Sequence, residues 1–206
     1  MLLGLAVTGC SSNTSITGSY VAPGVTQVSY KKIFISALTD NTSAKQTVES
    51  SLANQLNANG VAAVKSIDVL PPNFRSAADS NDKELLIKKI REGGCDGILT
   101  VALMKQDTET RYVEGNPYPV ATPYYGYFGS YYNYGYANFY SPGYYTNDKV
   151  YYLETNLYDA ATEKLVWSAQ SKTYNPSSLE SFMQEYQKAL AEQIAKDGLI
   201  APKPKK

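Results

Sequence analysis

The 206 residues carry 19 Lys and Arg against 19 Asp and Glu, with no histidine anywhere. Zero net charge leaves no long-range field to gather nucleic acid, so composition argues against such a partner. Without histidine the chain lacks the side chain most used for general acid–base catalysis, catalytic triads and transition-metal ligation, and no metal or cofactor is expected.

Residues Met1 to Gly9 are apolar and small and run directly into Cys10. The stretch Val7-Thr8-Gly9-Cys10 resembles the lipobox of bacterial lipoprotein precursors, in which a branched apolar residue stands three before the cysteine and small residues lie beside it. The resemblance implies that residues 1–9 are the remnant of a signal peptide and that Cys10 is the lipid attachment site, acylated with chains such as palmitate. Two or three chains anchor stably where one alone is marginal. Ser11 resembles the sorting pattern of outer-membrane lipoproteins, which implies a protein held in the outer membrane and facing the periplasm. Residues 10–30 read as a flexible tether, because Ser11 to Gly24 is Ser/Thr/Asn/Gly-rich and uncharged.

Lys31 to Leu38 is β-branched and apolar and reads as a first strand. Ser43 with Gln46 three residues on forms a capping box opening a helix to about Asn59, its stripe made by Ala44, Val48, Leu52 and Leu56 and its stop by Gly60. Val61 to Leu70 reads as a second strand ended by Pro71-Pro72. Asn81 with Glu84 caps a second helix with Leu86, Ile87 and Ile90 inward and Gly93-Gly94 as its end. Gly97 to about Tyr112 reads as a long third strand, and Lys149 to Tyr158 and Leu165 to Tyr174 as a hairpin around Asp159–Glu163. Ser177 with Glu180 caps a last helix to about Lys196, with Phe182, Tyr186, Leu190 and Ile194 as its stripe, before a basic tail at 200–206. The order β-α-β-α-β, insertion, β-β-α predicts a single α/β domain over 31–199, with a mixed five-stranded sheet and the helices on one face.

The phrase Cys95-Asp96-Gly97-Ile98-Leu99 and the hairpin Leu157-Tyr158-Asp159…Leu165-Val166-Trp167 are similar to a family of small envelope lipoproteins carrying a domain of unknown function. That domain is related in shape to the amino-terminal domain of the Tol-system protein TolB and to the curli-secretion lipoprotein. The resemblance covers roughly Lys31 to Leu199. It implies fold and location and brings no catalytic residues with it.

Between Tyr118 and Tyr152 lie 13 of the 19 tyrosines, interleaved with Gly, Pro, Ser and Asn. The insertion at 114–148 fits neither a helical stripe nor a strand alternation. Its candidate binding surface is Tyr124, Tyr125, Tyr127, Phe128, Tyr131, Tyr132, Tyr134, Tyr136 and Tyr140. Tyrosine pairs a flat apolar face with one polar handle, which suits an envelope protein partner, self-association, or a glycan. The same ring favours a membrane–water interface, and a solvated low-complexity loop is the remaining reading.

Candidates for chemistry are sparse. Cys95 is the only thiol after Cys10; without a cationic partner to hold a thiolate it reads as a small residue packed at a strand entry. Asp40 follows one strand and Asp96 precedes another, which puts them at opposite ends of parallel strands, wrong for a shared site. No phosphate-cradling glycine loop follows a strand. The expectation is a non-enzymatic, lipid-anchored envelope protein acting as a scaffold or docking module. A glycan- or peptidoglycan-binding module is the alternative and a hydrolase the third reading.

Overall fold

A computed structural model describes residues 13–71, 74, 80–113 and 144–200. The described residues form six strands and four helices: β1 Thr14–Val21, β2 Lys32–Leu38, α1 Thr42–Ala58, β3 Ala62–Lys65, a one-turn α2 Ser66–Val69, α3 Ser80–Glu92, β4 Gly97–Val113, β5 Tyr144–Asp159, β6 Leu165–Tyr174 and α4 Leu179–Lys196. The strands make one mixed sheet in the order β1-β6-β5-β4-β2-β3. β2 lies parallel to both β3 and β4, while β6 is antiparallel to both β1 and β5. The chain divides into two units, Met1–Gln106 with Val150–Lys206, and Asp107–Lys149.

The mixed α/β plan is the one expected, with a sixth strand. β1 forms inside the segment read as a tether. Its β-branched residues Thr14, Ile16 and Val21 pair with Thr173, Ser171 and Trp167 of β6, and the buried Thr14 and Thr173 hydroxyls bond each other at 2.9 Å. The fold therefore already includes β1, well ahead of Lys31.

The helices cover both faces of the sheet, not one. Ile33, Ile35 and Ala37 of β2 pack with Val48, Leu52 and Ala53 of α1 and with Phe182, Met183, Tyr186 and Leu190 of α4. Phe34, of opposite parity, packs with Leu70 after α2 and Ile90 of α3, joined by Leu86, Ile87 and Ile98. A central strand clad on both sides must be apolar at consecutive positions, which is what Ile33-Phe34-Ile35 supplies.

Local chemistry sets the boundaries. The N-cap of α1 is Asn41, whose Oδ1 accepts from Ala44 N at 2.9 Å, so the cap lies two residues ahead of Ser43. Gly60 ends that helix at φ +81, a left-handed conformation that other residues adopt with strain. The segment 61–70 is strand only to Lys65, because the Ser66 hydroxyl and Ile67 N–H turn back onto the carboxylate of Glu49. α3 already includes Asn81, so that residue lies inside the helix. α4 is capped by Ser178 in a reciprocal box with Ser181, one residue past the expected Ser177 and Glu180.

Candidate functional site

Cys10 lies outside the described residues, as do Tyr124, Tyr125, Tyr127, Phe128, Tyr131, Tyr132, Tyr134, Tyr136 and Tyr140. What is described of the tyrosine-rich region is its root, within the unit Asp107–Lys149. There Thr110 Oγ1 donates to Asn147 Oδ1 at 3.0 Å and Arg111 Nε donates to the buried Asp148 Oδ2 at 3.0 Å. Tyr112 and Tyr145 meet with ring centroids 5.2 Å apart. The aromatic faces stay open to solvent: Tyr112 is 52% exposed, Tyr144 64% and Tyr145 74%.

A second feature belongs to the other unit. A cavity of about 340 Å³ opens at the carboxyl end of β2, beside the first half of β4, lined by Ala37, Leu38, Val101, Leu103, Leu179 and Phe182 among others. Among the described residues, the hydroxyl-bearing ones that line it are Thr39, Tyr151 and Ser178, and none that lines it is charged. Leu38 and Leu103 are both more than half exposed at its margin. The carboxyl ends of parallel strands are where open α/β sheets usually take ligands. Sequence reasoning missed this cavity because its walls come from β2, α1, β4, β5 and α4, and only one weak signal pointed to it, an apolar residue left at a strand end before the polar turn Thr39-Asp40.

The carboxylates have structural work. Asp96 accepts from Lys31 N at 2.8 Å and Lys32 N at 2.9 Å, clamping the entry of β2 to that of β4. Gly97 follows because a Cβ there would come within 3.0 Å of the Tyr30 ring. Asp40 follows the far end of β2, so these two carboxylates share no site, in line with the sequence reading. Among the described residues no group of three or more His, Cys, Asp or Glu could hold a metal ion. Cys95 is half-buried beside α3. Burial pushes its thiol up, assisted by the charge of Asp96 and opposed by Lys32, which keeps it protonated and poorly nucleophilic.

Two buried polar connections had no sequence signal. Glu49 is fully buried on α1 and holds Ala37 N, Ser66 Oγ and Ile67 N. The indole Nε1–H of the buried Trp167 donates to Asp197 Oδ2 at 2.8 Å. Burial works to raise the Asp197 carboxyl, but hydrogen bonds from Trp167, Ser19 and Gln193 and the charge of Lys196 outweigh it and hold it below the ordinary carboxylate range. A carboxyl with a depressed folded value stabilises the fold at pH above its unfolded value of 3.8, and that contribution is lost as pH falls through the folded value. Asp197→Asn is therefore expected to be less stable than the parent at neutral pH, with the gap closing below about pH 4. Urea midpoints between about pH 2.5 and 7 check it; a gap that stays constant with pH would count against the assignment.

No family model matches the chain, and no curated protein matches it. Among solved structures, a PelC dodecamer from Paraburkholderia phytofirmans is similar at 17% identity and a TM-score of 0.46, over 91% of this chain and 99% of that one. Lipoprotein GNA1162 from Neisseria meningitidis is similar at 14% identity and a TM-score of 0.42, over 80% of this chain and 98% of that one.

Proposed function

We propose that the protein is a non-enzymatic, lipid-anchored component of the bacterial cell envelope that docks a protein partner through its tyrosine-rich segment, with Cys10 as the anchor. The lipobox-like Val7-Thr8-Gly9-Cys10 supports the address, with the outer membrane and a periplasmic orientation as its finer form. One observation carries the docking role: three large aromatic rings, Tyr112, Tyr144 and Tyr145, stand open to solvent where the segment leaves and rejoins the sheet. Clustered exposed aromatics rimmed by polar groups mark interaction surfaces more often than ordinary surface. The uncharged run from Tyr124 to Tyr145 extends the same chemistry. A non-catalytic role is supported by the engagement of Asp96 and Glu49 in backbone clamps and by the protonated state of Cys95.

Photo-crosslinking in living cells tests the reading, with probes at Tyr127 and Tyr136 and a control at Lys88, an exposed residue of α3. A discrete protein adduct from the tyrosine probes and none from the control is the expected result. Adducts identical at all three positions would remove the docking role. Cosedimentation with purified sacculi, lost on deleting residues 114–143 and so sparing β5 from Tyr144, would instead establish the glycan-binding alternative.

A further inference from the structure

We propose that the cavity at the carboxyl end of β2 is an acyl-chain site, and that its occupant is a chain carried by Cys10 while the protein is out of the bilayer. This rests on the lipid anchor proposed above.

The walls select the ligand class. Leu38, Val101, Leu103, Leu179 and Phe182 present hydrocarbon and no charge, so the cavity rewards a hydrocarbon chain and offers a phosphate or a sugar little. Its volume of about 340 Å³ lies at the lower end of the range for small-molecule sites, room for part of one chain and not for two.

The start of the fold selects the source. Asn13 is pinned from both sides: Tyr174 N donates to its carbonyl at 3.0 Å and its own N–H donates to Glu185 Oε2 at 2.9 Å. Thr14 then stands beside Thr173, and Thr173 beside Tyr151, in one row across the sheet. Tyr151 lines the cavity. Two strand spacings, about 10 Å, thus separate the first strand from the cavity wall. Cys10 precedes Asn13 by three residues, which reach at most about 10 Å, and a chain of bilayer length adds about 15 Å. The span is covered. A link this short also holds the chain at high effective concentration near the opening, which a tether of twenty residues would not.

Competition with the bilayer limits when the site fills. A bilayer removes every methylene from water, whereas the cavity removes only some. Occupancy belongs to the protein in water, where the cavity shields a chain that would otherwise drive aggregation, and the membrane draws the chain out.

The test feeds cells a diazirine-bearing palmitate analogue, purifies the full chain, removes detergent, irradiates, and maps linked peptides by mass spectrometry. The expected product joins the Cys10 peptide to the peptide containing Leu179 and Phe182. Ala44→Trp and Leu103→Trp, at two lining positions that are not fully buried, should each lower its yield about tenfold, the factor for excluding roughly two methylenes, while Lys88→Trp should not. Label on Cys10 with links only between Cys10 chains of different molecules overturns the site and leaves the anchor standing. Analogue found on Leu179 or Phe182 as free lipid, not joined to Cys10, gives the cavity to another source and overturns the assignment. Absence of label from Cys10 overturns the anchor itself, and the site with it.

Discussion

Replacing Glu49 by alanine is expected to lower the unfolding free energy by about 3–5 kcal/mol, the scale for removing one partner from a buried charged network. The side chain is fully buried, and its two oxygens accept from Ala37 N at 2.9 Å, Ser66 Oγ at 2.6 Å and Ile67 N at 2.9 Å, with Lys45 Nζ at 3.9 Å. Alanine would leave two backbone N–H groups and a hydroxyl without an acceptor, each costing about 1–3 kcal/mol before relaxation. Glu49→Gln should cost less, about 1–2 kcal/mol. One amide oxygen can still serve Ala37 and Ser66, but the new NH₂ then faces the Ile67 N–H donor to donor. Urea unfolding read by circular dichroism checks both, and an unchanged slope would show that the change lies in the native state. If alanine and glutamine were equally mild, water would be entering to replace the carboxylate, and the network would matter little. The effect also reaches the cavity, because Ala37, held by Glu49 at the end of β2, is part of its wall.

The contrast between Glu49 and the helix that carries it explains how much was legible in the sequence. α1 and α4 announce themselves through apolar residues stepping by three and four, a local property. Val48 and Leu52, and Phe182, Tyr186 and Leu190, are buried as the spacing requires. Caps were found to within one or two residues, since neighbouring Ser177 and Ser178, or Asn41 and Ser43, offer the same chemistry and only geometry chooses between them. What could not be read depends on partners far along the chain. β1 is strand because Thr14 to Val21 meets β6 more than 140 residues later. Alone, that stretch has the composition of a linker. The segment Val61 to Leu70 looks like one long strand until Glu49 draws Ser66 and Ile67 into a turn. The placement of α3 on the opposite face follows from the parity of Phe34, which the unbroken apolar run Ile33-Phe34-Ile35 leaves open. The cavity is the extreme case, its wall assembled from five elements, so no window of sequence contains it.

Trp167→Ala should cost about 3–5 kcal/mol, and the more telling variant is Trp167→Phe. The indole is fully buried in the core with Tyr186, Leu190 and Leu199, on a strand that pairs with Leu157 on one side and Val21 on the other. Alanine removes most of that buried surface and leaves a cavity. Phenylalanine keeps a ring in place but strips the donor from Asp197, for an expected loss of about 1–2 kcal/mol. That hydrogen bond is one strand of a wider tie. Gln193 donates both to Asp197 Oδ1 and, at 2.9 Å, to Ser19 Oγ, so the end of α4 is fastened at once to β6 and to β1. Loosening it should therefore be felt unevenly. Amide exchange in Trp167→Phe is expected to rise first over Tyr20 to Val28, where Ala22 N bonds Val166 O and Val28 N bonds Leu199 O, and much less in β2 or α1. Uniform loss of protection across the sheet would mean that Trp167 acts only through core volume. A local loss would mean that β1 is held at its far end by one indole and one carboxylate, which tie it to β6 and to the end of α4.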